Sequence, residues 1–141
     1  MNFLRKIIVI LCIIFMTNAN HCTTDNEITR GRIYKPGTEA DFQKMIDLNE
    51  FVVVDFYADW CNPCRQMDKV ITSLAEDDDN NMILFIKVDT EKHHSLAAKY
   101  HVYSLPTLVL LVDGQVINTI YGYRDKRTFK QIIHDTFFRH N

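Results

Sequence analysis

Residues 51–58, FVVVDFYA, form an apolar run broken by a single acid, and the tetrad CNPC begins only three residues further on. Apolar residues on both parities of such a run read as a strand buried on both faces, the habit of strands inside a sheet covered by helices on each side. The period then changes. Met67, Val70, Ile71 and Leu74 recur at i, i+3, i+4 and i+7, which is the core-facing stripe of a helix. A doubly buried strand that runs straight into an amphipathic helix needs other strands beside it and other helices to cover them.

The rest of the chain supplies both. RIY reads as a short edge strand. KPGTEADFQKMIDLNE gives a turn, a cap at Thr38, and Phe42, Met45 and Ile46 at helical spacing. Past the acidic EDDDNN, whose aspartates oppose a helix C-terminal dipole and favour a solvated loop, MILFIKVD is a second buried strand. EKHHSLAAKYH reads as a short helix burying Leu96 and Tyr100. In PTLVLLVDGQVINTIYG two strands flank Asp113-Gly114, a strong hairpin signal. Asp125 then caps a last helix with Phe129, Ile132, Ile133 and Phe137 on one face. The order β, α, β, α, β, α, β, β, α predicts an α/β fold, a central mixed β-sheet flanked by helices on both faces.

The N-terminus follows other rules. Arg5 and Lys6 precede ten apolar residues, Ile7 to Met16, and then Thr17 and Ala19. Basic, apolar and small-polar segments in that order read as an export signal over residues 1–19, because the apolar core is short for a membrane span of about 20 residues. The alternative is an uncleaved anchor. Polar residues 20–35 read as a linker and residues 36–141 as the domain. Export places the protein in the periplasm or outside the cell, or, with the anchor kept, on the membrane facing the extracytoplasmic side. The chain carries a net charge of −2. Losing Arg5 and Lys6 with no acid leaves −4, which offers no basic footprint for nucleic acid. Of the four cysteines, Cys12 leaves with the signal and Cys22 lies in the linker, so Cys61 and Cys64 are the pair placed for a joint role.

Asn62 is a favoured N-cap and Pro63 a favoured first helical residue, so the pair sits where a strand becomes a helix. Unpaired N–H groups and the positive end of the helix dipole stabilise a thiolate there, which makes Cys61 the attacking sulfur. Cys64, inside the first turn and less exposed, can resolve the mixed disulfide. Asp55 shares a strand face with Val53 and Tyr57. Burial should raise its pKa and let it accept the Cys64 proton through water, although a buried aspartate paired with a lysine or a backbone amide remains the structural alternative.

VVVDFYADWCNPCRQM, KVD, YSLPTLVLLVDGQV and YGY resemble the successive motifs of the thioredoxin family, in its order and spacing, over roughly residues 33 to 138. The resemblance implies the thioredoxin fold, with Cys61 attacking, Cys64 resolving and Asp55 as the buried acid. It also implies a cis bond before Pro106 that faces the cysteines. Trp60, Asn62, Pro63, Leu105 and Gly122 would then contact substrate, whose extended backbone pairs beside that proline. Three departures stand out. Asn-Pro replaces Gly-Pro between the cysteines. Lys69 occupies the place of a helix-kinking proline, so a straighter helix is expected. The place of the family's lysine near the buried acid matches Phe85, two residues before Lys87, so Asp55 is expected to lack a positive neighbour.

The function this implies is thiol-disulfide exchange, most simply a protein-disulfide reductase. It would act as a monomer, with no cofactor beyond a redox-active Cys61–Cys64 disulfide, on protein disulfides, and take electrons from a donor protein. An exported oxidase or isomerase is the alternative, as is a copper-binding module. A metal site needs about four ligands and the pair supplies two. His93 and His94 project about 100° apart if helical and do not chelate together, so no metal ligand is assigned. The tyrosines Tyr100, Tyr103, Tyr121 and Tyr123 read as core and groove residues.

Overall fold

The computed structural model describes residues 32–139; the signal, Cys12, Cys22 and most of the linker lie outside them. The elements follow the predicted order: β1 (Ile33–Tyr34), α1 (Glu39–Asp47), β2 (Phe51–Tyr57), α2 (Asn62–Ala75), β3 (Ile83–Asp89), α3 (His94–Lys99), β4 (Thr107–Val112), β5 (Gln115–Tyr121) and α4 (Lys126–Phe138). β1 falls inside the segment read as linker. A short 3₁₀ turn, Asp78–Asn80, occupies the acidic stretch read as a loop, and Asn80 is buried there, with its Nδ2 donating to Leu74 O at 2.9 Å. Even in this acidic stretch, one polar side chain is drawn inward to serve a carbonyl at the end of α2.

The sheet runs β1-β3-β2-β4-β5, with β1, β3 and β2 parallel and β4 and β5 antiparallel to their neighbours. Its two faces sort by residue parity, as a pleated strand requires. Phe51 and Val53 of β2, with Phe85 and Leu108, pack under α2 and α4 through Met67, Ile71, Leu74, Phe129 and Ile133. Val52, Val54 and Phe56 pack on the opposite side against Phe42 and Ile46 of α1 and Leu96 of α3. Helices therefore cover both faces, and β2 is buried along nearly its whole length.

Local chemistry fixes the ends. Thr38 and Asp41 form a reciprocal capping box on α1, and Asp125 caps α4 by accepting the Thr128 N–H at 3.1 Å. Asp113 and Gly114 both have positive φ, 49° and 76°, as a tight turn between β4 and β5 needs. α2 continues unbroken through Lys69.

Candidate active site

β2 ends at Tyr57, and a turn closed by Cys61 N–H to Ala58 O at 3.1 Å brings the chain into α2. The cap differs in detail from the expectation. Cys61 itself is the N-cap and its Sγ accepts the Cys64 N–H at 3.3 Å, while Asn62 and Pro63 are the first two helical residues. A sulfur thus takes the place of the usual capping oxygen, because the cysteine, and not Asn62, has the extended backbone that a cap requires. Cys61 and Cys64 are joined in a disulfide with their Cα atoms 5.2 Å apart. Their exposures, 4% and 3%, are equal within any useful margin, so the expected contrast between an open Cys61 and a hidden Cys64 is absent from this oxidised form.

Leu105, partly buried, packs against the cluster of Ala58, Cys61 and Cys64. The Leu105–Pro106 bond is cis. Pro106 O accepts the Gly122 N–H at 2.8 Å, and Gly122 has φ of 81°, a conformation open to glycine at little cost. Two segments distant in sequence are in this way fastened to each other, and Leu105 seats the first of them against the disulfide. Trp60 is 68% exposed, and its indole N–H donates to Glu91 Oε1 at 3.2 Å. Asn62 accepts a hydrogen bond from Arg65, whose guanidinium also donates to Asp59 O at 3.0 Å. Of the tyrosines, Tyr100 packs on Phe42 and Phe56, whereas Tyr103, Tyr121 and Tyr123 are exposed, Tyr103 to 83%. Of the four read together as core and groove residues, Tyr100 is thus the one packed in the core, and Tyr103 stands on the exposed stretch after α3.

The larger correction concerns Asp55. Lys87 lies directly across from it in the parallel β2–β3 register, and Phe85 lies across from Val53. Lys87 Nζ meets Asp55 Oδ2 at 3.2 Å, donates to Asp68 as well, and stands 4.7 Å over the Tyr57 ring. Asp55 does have a positive neighbour. Matching by motif position alone had overlooked it, although Phe85 and Lys87 share one strand face and the parity allowed either. Asp55 is 1% exposed, and its Oδ1 has no hydrogen-bond partner. Burial raises its pKa to about 6 against the pull of Lys87, and the charge of Asp68 adds to the rise. Lys87 is pushed down by its own burial, but the attraction of Asp55 and Asp68 outweighs that and leaves it above the usual lysine value.

A cavity of about 200 Å³ opens beside this trio, lined by Lys35, Tyr57, Ala58, Asp59, Cys64, Arg65, Asp68 and Lys87. Its volume admits water, which needs only about 30 Å³ a molecule and two or more polar partners. Cys64 and Lys87 share its wall, with Asp55 held by Lys87 from further inside. Asp68 carried a sequence signal that went unread. It lies four residues after Cys64, on the same stripe of α2.

A cysteine pair closed as a disulfide at the start of a helix, with a polar cavity behind its inner sulfur, is placed to exchange disulfides with another molecule; such a site defines a thiol-disulfide oxidoreductase. Comparison with known proteins narrows the class. The thioredoxin family model matches residues 34–135. A thioredoxin of Staphylococcus aureus is 34% identical over 96 residues, spanning 68% of this chain and 90% of its own length. A mutant thioredoxin of Halobacterium salinarum superposes with a TM-score of 0.69 at 30% identity, over 77% of this chain and 93% of its own. The oxidised mitochondrial thioredoxin 3 of Saccharomyces cerevisiae does so at 0.66 and 33%, over 73% and 94%. The chain belongs to the thioredoxin family. It is a protein-disulfide oxidoreductase, of a family that acts on protein disulfides together with reductase partners.

Proposed function

We propose that this protein reduces disulfides in proteins outside the cytoplasm, with Cys61 attacking and Cys64 resolving. In the reductive direction the Cys61 thiolate attacks one sulfur of a substrate disulfide and the other sulfur leaves as a thiolate. Cys64 then gives its proton toward Asp55, by way of the cavity, and attacks Cys61 Sγ. The bond between Cys61 and the substrate breaks, the second substrate thiolate leaves, and the two electrons now missing from the cysteine pair must return from a donor dithiol. Leu105 packs against the disulfide, Gly122 is bonded to the neighbouring Pro106, and Trp60 stands exposed next to Cys61, positions suited to holding an extended substrate segment.

The observation that carries the direction is the neutral setting of Cys61 Sγ. It accepts a main-chain N–H, the residues between the cysteines are uncharged, and the nearby Arg65 is occupied by Asp59 and Asn62. A thiolate held by helix amides is stabilised less than one that faces a cationic side chain, so the reduced form is the better electron donor. Equilibration of the purified protein with a thiol buffer tests this. A reduction potential more negative than about −200 mV supports a reductase; one near the −120 mV or so of a strong oxidant overturns the direction. Export rests on the basic, apolar and small-polar order of residues 1–19, and N-terminal mass analysis of the protein recovered outside the cytoplasm tests it.

A further inference from the structure

Lys87 has two carboxylate partners of very different character. Asp55 is sealed inside, and Asp68 on α2 is half exposed. One ammonium has three N–H donors, and here two of them are divided between two acids: the buried acid from β2 and the helix acid that lines the same cavity as Cys64. We propose that Asp68 is a positioning residue for the resolving step: by holding part of Lys87 on the cavity side, it sets how readily Asp55 takes up the proton that Cys64 must lose. This deepens the exchange reading above and rests on it.

Three observations carry the assignment. Asp55 Oδ1 is buried without a hydrogen-bond partner, so the carboxylate has a free acceptor site for a proton. Its contact to Lys87, at 3.2 Å, is longer than the usual charge-assisted bond of about 2.7–2.9 Å, and the same nitrogen also donates to Asp68. The other ionisable groups on the cavity wall are Lys35, Tyr57, Asp59, Arg65 and Cys64. Arg65 is bound to Asp59 O and Asn62, and Tyr57 meets Lys87 through its ring face. Among the described residues Lys87 forms ion pairs with Asp55 and Asp68 and none with Asp59, so Asp68 is the carboxylate that competes with Asp55 for the ammonium. With Asp68 neutral, Lys87 would turn its whole charge on Asp55 and make it a weaker base. With both acids ionised, the trio carries one negative charge in excess, and a proton arriving at Asp55 restores neutrality. A base matched to the working pH transfers protons best.

The test follows the two attacks separately. Reduced full-length protein is mixed with a chromogenic aromatic disulfide; the first released thiolate reports Cys61, and the second reports attack by Cys64 on the mixed disulfide. In the native protein the second phase should show an inflection near the Asp55 value of about 6. Asp68→Asn should move that inflection down by about one pH unit, and Asp68→Glu should restore it. An inflection that stays in place in Asp68→Asn overturns the proposal. Titration of the Asp55 carboxyl by carbon NMR in the oxidised protein, with Asp68→Ser as a second variant, reads the same quantity without turnover: a downward shift supports it and an unmoved curve overturns it. If the native protein shows neither thiolate release, the exchange reading fails and takes this one with it, an outcome distinct from normal release with an immovable inflection.

Discussion

Replacing Asp55 with asparagine should make the protein more stable above pH 6, and by an amount that depends on pH in a defined way. The Asp55 carboxyl has a pKa of about 6 in the fold against 3.8 when free. Because the folded value is the higher one, the folded state holds the proton more tightly, and stability falls as pH rises between these two values. The difference of about 2.2 units corresponds to about 3 kcal/mol, at about 1.36 kcal/mol per unit. That burden is nearly absent below about pH 3, where the acid is neutral in both states, and complete above about pH 7. Asparagine has the shape of the protonated acid and carries no charge at any pH. Lys87 loses one of its two carboxylate partners in the variant, so it is the change of the stability difference with pH, and not its size at one pH, that reports Asp55. Urea unfolding of the oxidised native protein and of Asp55→Asn should therefore diverge by about 3 kcal/mol between about pH 3 and pH 8, with the variant gaining. A difference that is flat with pH, or that grows in favour of the native protein, would refute the claim that burial outweighs Lys87 at this site.

Cys64→Ser should trap a mixed disulfide between Cys61 and a substrate, visible as an added mass that a reductant removes, whereas Cys61→Ser should form none and lose essentially all exchange. Thr38→Ala removes half of the α1 capping box and should cost about 1 kcal/mol in urea unfolding, with exchange rates unaltered. The glycines separate strain from crowding. Gly122→Ala meets no atom nearer than 3.9 Å and should cost about 1 kcal/mol from its positive φ alone. Gly114→Ala adds a contact of 3.3 Å to Ile46 Cγ2 in the core and should cost more, which comparison of the two unfolding midpoints will show.

The path from sequence to structure was direct wherever a property is local or periodic. The apolar run at Phe51–Tyr57, the helical stripe from Met67 to Leu74 and the turn at Asp113-Gly114 each announce their element, because strand burial, helix period and turn conformation are set by neighbours within a few residues. The cysteine pair was legible for the same reason: its position at a strand-to-helix junction is written in consecutive residues. Even so, which residue caps α2 was misassigned by one, since Asn62 and Cys61 can both accept a backbone N–H and only their backbone angles decide between them.

What consecutive residues could not decide is which side chains from separate elements meet. The sequence by itself determined the order of the elements, the redox pair and the presence of an acid in a buried strand. Only the parallel register of β2 against β3, with Asp55 facing Lys87, gave that acid a cation, and only the seating of α2 over the same face brought Asp68 to it. Register is fixed by the packing of whole strands, where a slip of one residue would turn every side chain over, and a shift of two would exchange Lys87 for Phe85. The charge of Asp55, and with it the proton transfer proposed at Cys64, is in that sense a property of the sheet as a whole.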